Sequence, residues 1–233
     1  MTDLSNVTIL PGVEPSASAS VPAPYYQDDA VTIFHADCRD ILPLLEPGSV
    51  DLVLTDPPYG IGYMHGAEKQ PHASRFNGVP VIGDDQPFDP APFLGFPKVI
   101  LFGANHYADR LPSSKGWIIW DKRVQTVVND QSDCEMAWTN FMTTARVYYH
   151  VWDGFRRGPE KDTPRVHPTQ KPVGLMRWCI GKAGNVQTIL DPFAGSGTTG
   201  RAAKDLGRKA LLVEVEERYC EIAAKRMLQG VLL

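Results

Sequence analysis

Between residues 31 and 228 short apolar runs alternate with polar, glycine- and proline-bearing breaks, and their period changes from strand-like to helix-like. Residues 31–34 (VTIF) read as a short β-branched strand. Ala36-Asp37-Cys38 and an apolar segment through Leu45 follow, ending at the turn signal Pro47-Gly48. Residues 50–55 (VDLVLT) read as a buried strand, stopped by Asp56-Pro57-Pro58-Tyr59-Gly60 because two prolines cannot continue a central ladder. Further strands are expected at 98–102 (KVILF), 117–120 (WIIW), 135–138 and 146–152. A helix is expected over 173–182, with Pro172 at its start and Gly184 beyond it. A strand at 186–190, a glycine-rich turn at 191–197 and a helix at 198–206 closed by Gly207 come next, then a strand at 209–213 that ends at Glu214. The last amphipathic helix, over 217–228, sets Tyr219, Ile222, Ala223 and Met227 on one face. Strands alternating with helices predict an α/β domain, Rossmann-like, with a mainly parallel sheet and helices on both faces.

Composition narrows the picture. The 233 residues, 43% apolar and 21% charged, are those of an ordinary globular domain. Residues 1–29 are rich in Pro, Ser and Ala, without periodicity and without the basic start or apolar segment of a secretion signal. They predict a flexible tail, with 30–233 as the domain. No apolar run approaches the roughly 20 residues of a membrane span. Cys38, Cys134, Cys179 and Cys220 are scattered and form no CxxC pair, which argues against structural zinc and fits a reducing cytoplasm. His65 and His72 flank a loop with no third ligand nearby, so no metal is expected. The net charge of −4 does not advertise a nucleic-acid binder, but distribution outweighs the sum. Between residues 143 and 171, Arg146, Arg156, Arg157, Lys161, Arg165 and Lys171 outnumber Asp153, Glu160 and Asp162. That excess suits a solvated loop as well as a nucleic-acid contact.

Two segments carry chemistry. Gly195-Ser196-Gly197-Thr198-Thr199-Gly200 satisfies GxGxxG between a strand and a helix, and the acid Glu214 lies roughly 20 residues beyond the first glycine. Asp191-Pro192-Phe193 stands just before it, where a pyrophosphate would meet like charge. S-adenosylmethionine has no phosphate; its ammonium and sulfonium suit a carboxylate, and Glu214 can accept from both ribose hydroxyls. Few residues follow this turn, so the rest of the sheet must come from earlier sequence, a permuted order.

The second segment is Asp56-Pro57-Pro58-Tyr59. The exocyclic amine of a nucleobase is a poor nucleophile, because the ring withdraws its lone pair. Its hydrogens need acceptors as the nitrogen becomes tetrahedral. Asp56 supplies one and the Pro57 carbonyl a second, both acting by preorganisation. Tyr59 offers a flat face for the base, a stacking contact of about 1–3 kcal/mol that helps offset flipping it out of a duplex. A ring-carbon methylation would need a nucleophile, commonly Cys, and none adjoins.

With both segments in one short chain, the sequence resembles the amino-methylating DNA methyltransferases of the permuted β group. The resemblance covers nearly all of 31–228 and is strongest at DLVLTDPPYG (51–60), HPTQKPVGLM (167–176) and ILDPFAGSGTTGRAA (189–203). It implies an S-adenosylmethionine-dependent enzyme acting on DNA, with Asp56, Pro57, Pro58 and Tyr59 as the catalytic motif. Asp191, Pro192, Phe193, Ala194, Gly195, Ser196, Gly197, Thr198 and Thr199 correspond to the cofactor loop, and Glu214 to its ribose ligand. Asp37, with Cys38, resembles the acid near the cofactor adenine. Thr169, Gln170 and Lys171 resemble the segment that closes over the methionine end, Lys171 being suited to its carboxylate. Family members with Asp at the first catalytic position are more often adenine-specific, whereas cytosine enzymes favour Ser, so adenine N6 is expected and cytosine N4 stays open. Candidate recognition regions are 61–95 and 139–166, with Arg156 and Arg157 as phosphate or guanine contacts. Both regions are short, which implies a small or relaxed target. Members are often dimers, so a homodimer stays open.

Rival readings remain at this stage. RNA and protein methyltransferases more often carry Asn in place of Asp56 and an unpermuted order. An NAD oxidoreductase would rest on GxGxxG alone. A non-catalytic binding module would have no need of an intact Asp56 and Tyr59.

Overall fold

The computed structural model describes residues 22–62, 81–124, 132–152, 158–160, 166–167 and 169–230. In chain order these form β1 (Tyr26–Gln27), β2 (Val31–His35), α1 (Cys38–Ile41), β3 (Leu52–Thr55), β4 (Lys98–Phe102), β5 (Gly116–Asp121), β6 (Cys134–Thr139), β7 (Arg146–Tyr149), α2 (Val173–Lys182), β8 (Thr188–Asp191), α3 (Thr198–Asp205), β9 (Lys209–Glu214) and α4 (Glu217–Met227). The strands join into one sheet in the order β1-β2-β9-β8-β3-β4-β6-β5-β7.

From β2 through β4 every neighbouring pair is parallel. All four residues of β3 and four of the five of β4 are buried, which is why these strands read as unbroken apolar runs rather than alternating ones. β6 runs antiparallel to both β4 and β5, and β5 pairs in parallel with β7. The fold is α/β and Rossmann-like, with a mixed, mostly parallel sheet.

The faces are unequal. On one, Leu175, Cys179 and Ile180 of α2, Ala202 and Ala203 of α3, and Cys220, Ala223 and Met227 of α4 pack on Ile33, Leu54, Ile100 and Leu212. On the other, the one-turn α1 and the rings of Phe88, Phe93 and Tyr107 cover Val53, Val99, Leu101 and Val213.

Residues 26–27 fall in the stretch expected to be tail, yet Tyr26 pairs with Ile33 and Gln27 with Thr32. Asp28 explains the anchoring: its carboxylate accepts from the backbone of Ala30 and Val31 and pairs with Lys204 of α3. α2 begins after Pro172 as expected, and the Glu160 carboxylate, distant in sequence, accepts from the backbone N–H groups of Val173 (3.0 Å) and Gly174 (2.7 Å). Those first-turn donors have no partner within the helix, so the carboxylate caps them from outside. Among the described residues no helix is long and apolar enough to cross a membrane, and no group of three or more His, Cys, Asp or Glu could hold a metal.

Candidate active site

Parallel strands end together, so β2, β9, β8, β3 and β4 deliver their next residues to one edge of the sheet. A cleft of about 1040 Å³ opens there, where crevices of α/β sheets usually lie. Asp37 and Cys38 follow β2, Glu214 ends β9, Asp191 ends β8 and Asp56 follows β3; all five line this cleft. Pro57, Pro58 and Tyr59 line it, as do Thr169, Gln170 and Lys171. So do Pro192, Phe193, Ala194, Gly195, Ser196, Thr198 and Thr199 of the glycine turn. Gly197 turns away: at φ 76°, its added Cβ would stand 2.7 Å from the Ala223 Cβ of α4, so the turn can close on α4 only without a side chain. Arg156 and Arg157 lie outside the described residues, as do His65 and His72 and parts of both expected recognition regions.

The half of the cleft around the glycine turn is built on carboxylates. Asp191 is 4% exposed and accepts from the Thr55 hydroxyl (2.6 Å), the Thr199 hydroxyl and the Phe193 N–H (3.2 Å). Burial outweighs these neutral donors and pushes its carboxyl up to about 6. A buried acid so placed fits a ligand that brings positive charge, as an ammonium or sulfonium does. Glu214 accepts from Gly195 N–H (2.7 Å) on one oxygen and from Glu216 N–H (2.9 Å) on the other. Burial is the first influence on it, too, and raises it. A carboxylate oxygen can accept a second hydrogen bond, and Glu214 lines the cleft. Asp37 caps α1 through Arg39 N–H (2.9 Å) and pairs with the Arg39 guanidinium. The His167 ring packs, tilted, 4.3 Å from the Tyr219 ring and lies against Gly195, while Thr169 Oγ1 is 3.2 Å from His167 Nδ1.

The half of the cleft around Asp56 is more heavily braced than the sequence suggested. Asp84 Oδ1 accepts from the backbone of Tyr59 (2.7 Å) and Gly60 (2.8 Å), fixing the turn. The Tyr59 hydroxyl donates to Asp56 Oδ1, and its ring stacks at 5.0 Å and 12° on His106. Gly103, at φ 68°, makes room for that ring, since a Cβ there would fall 1.9 Å from Tyr59 Cε1. The sequence reading gave Tyr59 a ring role only; the structure adds the hydroxyl.

The resemblance implies that Lys171 meets the methionine carboxylate. In the structure its ammonium is paired with Asp56 Oδ2 at 2.5 Å and with Glu135 Oε2 at 2.8 Å. Glu135, second residue of β6, also pairs with Lys122 at 3.0 Å. Asp84, Gly103, His106, Glu135 and Lys122 were not singled out in the sequence. An acid at the start of the otherwise apolar run 135–138 and the acids of the 61–95 loop were the only signals.

The chain is similar to known DNA methyltransferases. A family model for N6 and N4 enzymes, described as DNA methylase, matches residues 113–225. The Type II methyltransferase M2.LlaDCHI of Lactococcus lactis subsp. cremoris is 25% identical over 250 residues, 89% of this chain and 93% of its own. The Type II methyltransferase M2.DpnII of Streptococcus pneumoniae is 26% identical over 247 residues, 88% and 92% of the two chains. The crystal structure of M1.HpyAVI with S-adenosylmethionine superposes with a TM-score of 0.53 at 27% identity, over 84% of this chain and 99% of that one. The cytosine-N4-specific PvuII DNA methyltransferase superposes with a TM-score of 0.56 over 90% of both chains at 13% identity, a likeness of fold alone. Fold and cleft thus define an S-adenosylmethionine-dependent methyltransferase. The family model and both relatives support a DNA amino-methyltransferase of the N6/N4 kind.

Proposed function

We propose that the chain methylates the exocyclic N6 of adenine in DNA, on a base flipped out of the duplex into the cleft. The observation that carries this reading is Asp56 at the head of Asp-Pro-Pro-Tyr, lining the same cleft as Asp191 and Glu214. When bound, S-adenosylmethionine supplies an electrophilic methyl group on a sulfonium. Asp191 would draw its cationic methionine end, Glu214 the ribose and Asp37 the adenine side. Asp56 and the Pro57 carbonyl would take the hydrogens of the base amine, and Tyr59 would lie against the base. The N–C bond to the methyl would form as the S–C bond breaks, leaving a neutral thioether, and the surplus amine proton would pass to Asp56 and on to solvent, so no covalent enzyme intermediate is needed.

Adenine is favoured over cytosine by Asp rather than Ser at position 56, a tendency within the resemblance stated above. Cytosine N4 is the second reading, since the family model spans both chemistries. The relatives' designation as Type II methyltransferases supports a modification enzyme of the restriction–modification kind. The regions 61–95 and 139–166 are proposed as DNA readers of a small or relaxed target. Enzymatic digestion of treated DNA to nucleosides, followed by mass analysis, tests the base: N6-methyladenine supports the reading and N4-methylcytosine replaces it.

A further inference from the structure

Lys171 is 5% exposed although it carries a full charge. Such a group persists in a fold only when paired. Its pairing is specific. Asp56 Oδ2 lies 2.5 Å away, Glu135 Oε2 2.8 Å, and the Phe102 ring centroid 5.2 Å. Lys122, just after β5, holds Glu135 from the other side at 3.0 Å. Four charges from four separate parts of the chain therefore form one row, Asp56–Lys171–Glu135–Lys122, with no net charge. Two of its members, Glu135 and Lys122, meet because β6 runs antiparallel to β5, so that its start stands beside the end of β5.

We propose that Lys171 is a positioning residue for methyl transfer, which keeps Asp56 ionised and aimed at the base amine, with Glu135 and Lys122 as its anchors. This rests on the reading of Asp56 as the amine's acceptor. Only a carboxylate can accept the amine's hydrogens on every lone pair; a protonated acid would turn one oxygen into a donor. The surroundings otherwise favour protonation. Burial is the main influence and raises the Asp56 carboxyl, Glu135 adds like charge, and Lys171 is the chief opposing group. Asp191 of β8 and the uncharged Tyr59 and Tyr107 also face it, and none brings positive charge. Burial would raise Glu135 as well, but it has two ammonium neighbours, which hold it low at about 2. Asp56 must share one. Two acceptor positions on Asp56 are taken, by Tyr59 and by Lys171. Two more remain, enough for the amine.

The competing role, a ligand of the methionine carboxylate, separates cleanly. Methyl transfer from labelled S-adenosylmethionine to unmethylated bacterial genomic DNA would be followed from pH 5.5 to 9.5, with cofactor Kd measured by calorimetry on the same preparations. Removing an adjacent cation should move the acidic limb of kcat in Lys171→Gln up by about one unit or more, with about a tenfold loss near neutrality. Cofactor Kd should stay within about threefold of wild type, and Lys171→Arg should restore the limb, since both interactions follow the charge. A Lys171→Gln variant with weakened cofactor binding and an unmoved limb would overturn the proposal.

Glu135→Gln keeps the test open if Lys171→Gln does not fold. It unhooks one anchor and removes a like charge from Asp56, so kcat should fall severalfold while the limb does not move up and Kd holds. Wild-type kcat in that variant would also overturn the proposal. Wild-type turnover in Asp56→Asn would instead remove the reading of Asp56 itself, a result distinct from an unmoved Lys171 limb.

Discussion

The Thr55 hydroxyl donates to the Asp191 carboxylate across 2.6 Å, between the last residues of two adjacent parallel strands. It ties the strand that leads into the catalytic turn to the strand that leads into the glycine turn. The two halves of the site are thus fixed by neighbouring strand ends and by one buried bond. Thr55→Val keeps the shape and removes the donor. Loss of a bond to an ionisable buried group should cost about 1–3 kcal/mol of stability, read by denaturant unfolding, and should weaken cofactor binding. Unchanged stability and Kd would make the bond incidental.

Asp191 gives the cofactor site a pH dependence. Its folded value, about 6, lies above the ordinary 3.8, so the proton is held more tightly in the fold. The stability contributed by that proton is complete below the unfolded value and lost as pH rises through about 6. A cationic ligand has the opposite preference, because it favours the ionised acid. Affinity for S-adenosylmethionine should therefore rise from pH 5 to 7 and then level, with proton release on binding near pH 6. Calorimetry in buffers of different ionisation enthalpy reads that release. Asp191→Asn should bind weakly and without the slope.

Tyr59 is expected to act through both ring and hydroxyl. Tyr59→Phe removes the donor to Asp56 and should lower kcat by about three- to tenfold, whereas Tyr59→Ala also removes the stacking surface and should cost more. Equal losses would deny the ring its part, and a wild-type Phe variant would deny the hydroxyl its part.

Asp84 should behave as a brace of the catalytic turn. Asp84→Ala releases the N–H groups of Tyr59 and Gly60, and kcat is expected to fall at least about tenfold with cofactor Kd little changed. Gly103→Ala should mimic it, because its methyl would occupy the space of the Tyr59 ring. A cofactor defect without a kcat defect would place Asp84 elsewhere in the mechanism.

Much of this was legible in the sequence where local chemistry dictates local structure. The apolar run KVILF is β4 to the residue, and Pro172 and Gly184 bracket the observed α2. The two motifs announced themselves because prolines and glycines impose backbone shapes that few other residues allow. Other features depended on partners far along the chain. Tyr26 and Gln27 have no strand signal of their own and are ordered by β2 and by the hold of Lys204 on Asp28. Glu135 and Lys122 look like surface charges until the antiparallel β6 brings the first to Lys171. Asp84 meets Tyr59 across 25 positions of a loop without periodicity. The pairing of the Lys171 ammonium with Asp56, 115 positions away, likewise has no local signal.

The most direct test of the account is nucleoside analysis of DNA incubated with S-adenosylmethionine and either the wild-type chain or Asp56→Ala, each first checked for cofactor binding by calorimetry. N6-methyladenine is expected from the wild type and none from a variant that still binds the cofactor. Methylated base formed by Asp56→Ala at the wild-type rate, or a wild-type chain that binds cofactor yet leaves adenine N6 unmodified in DNA of every sequence, would contradict it.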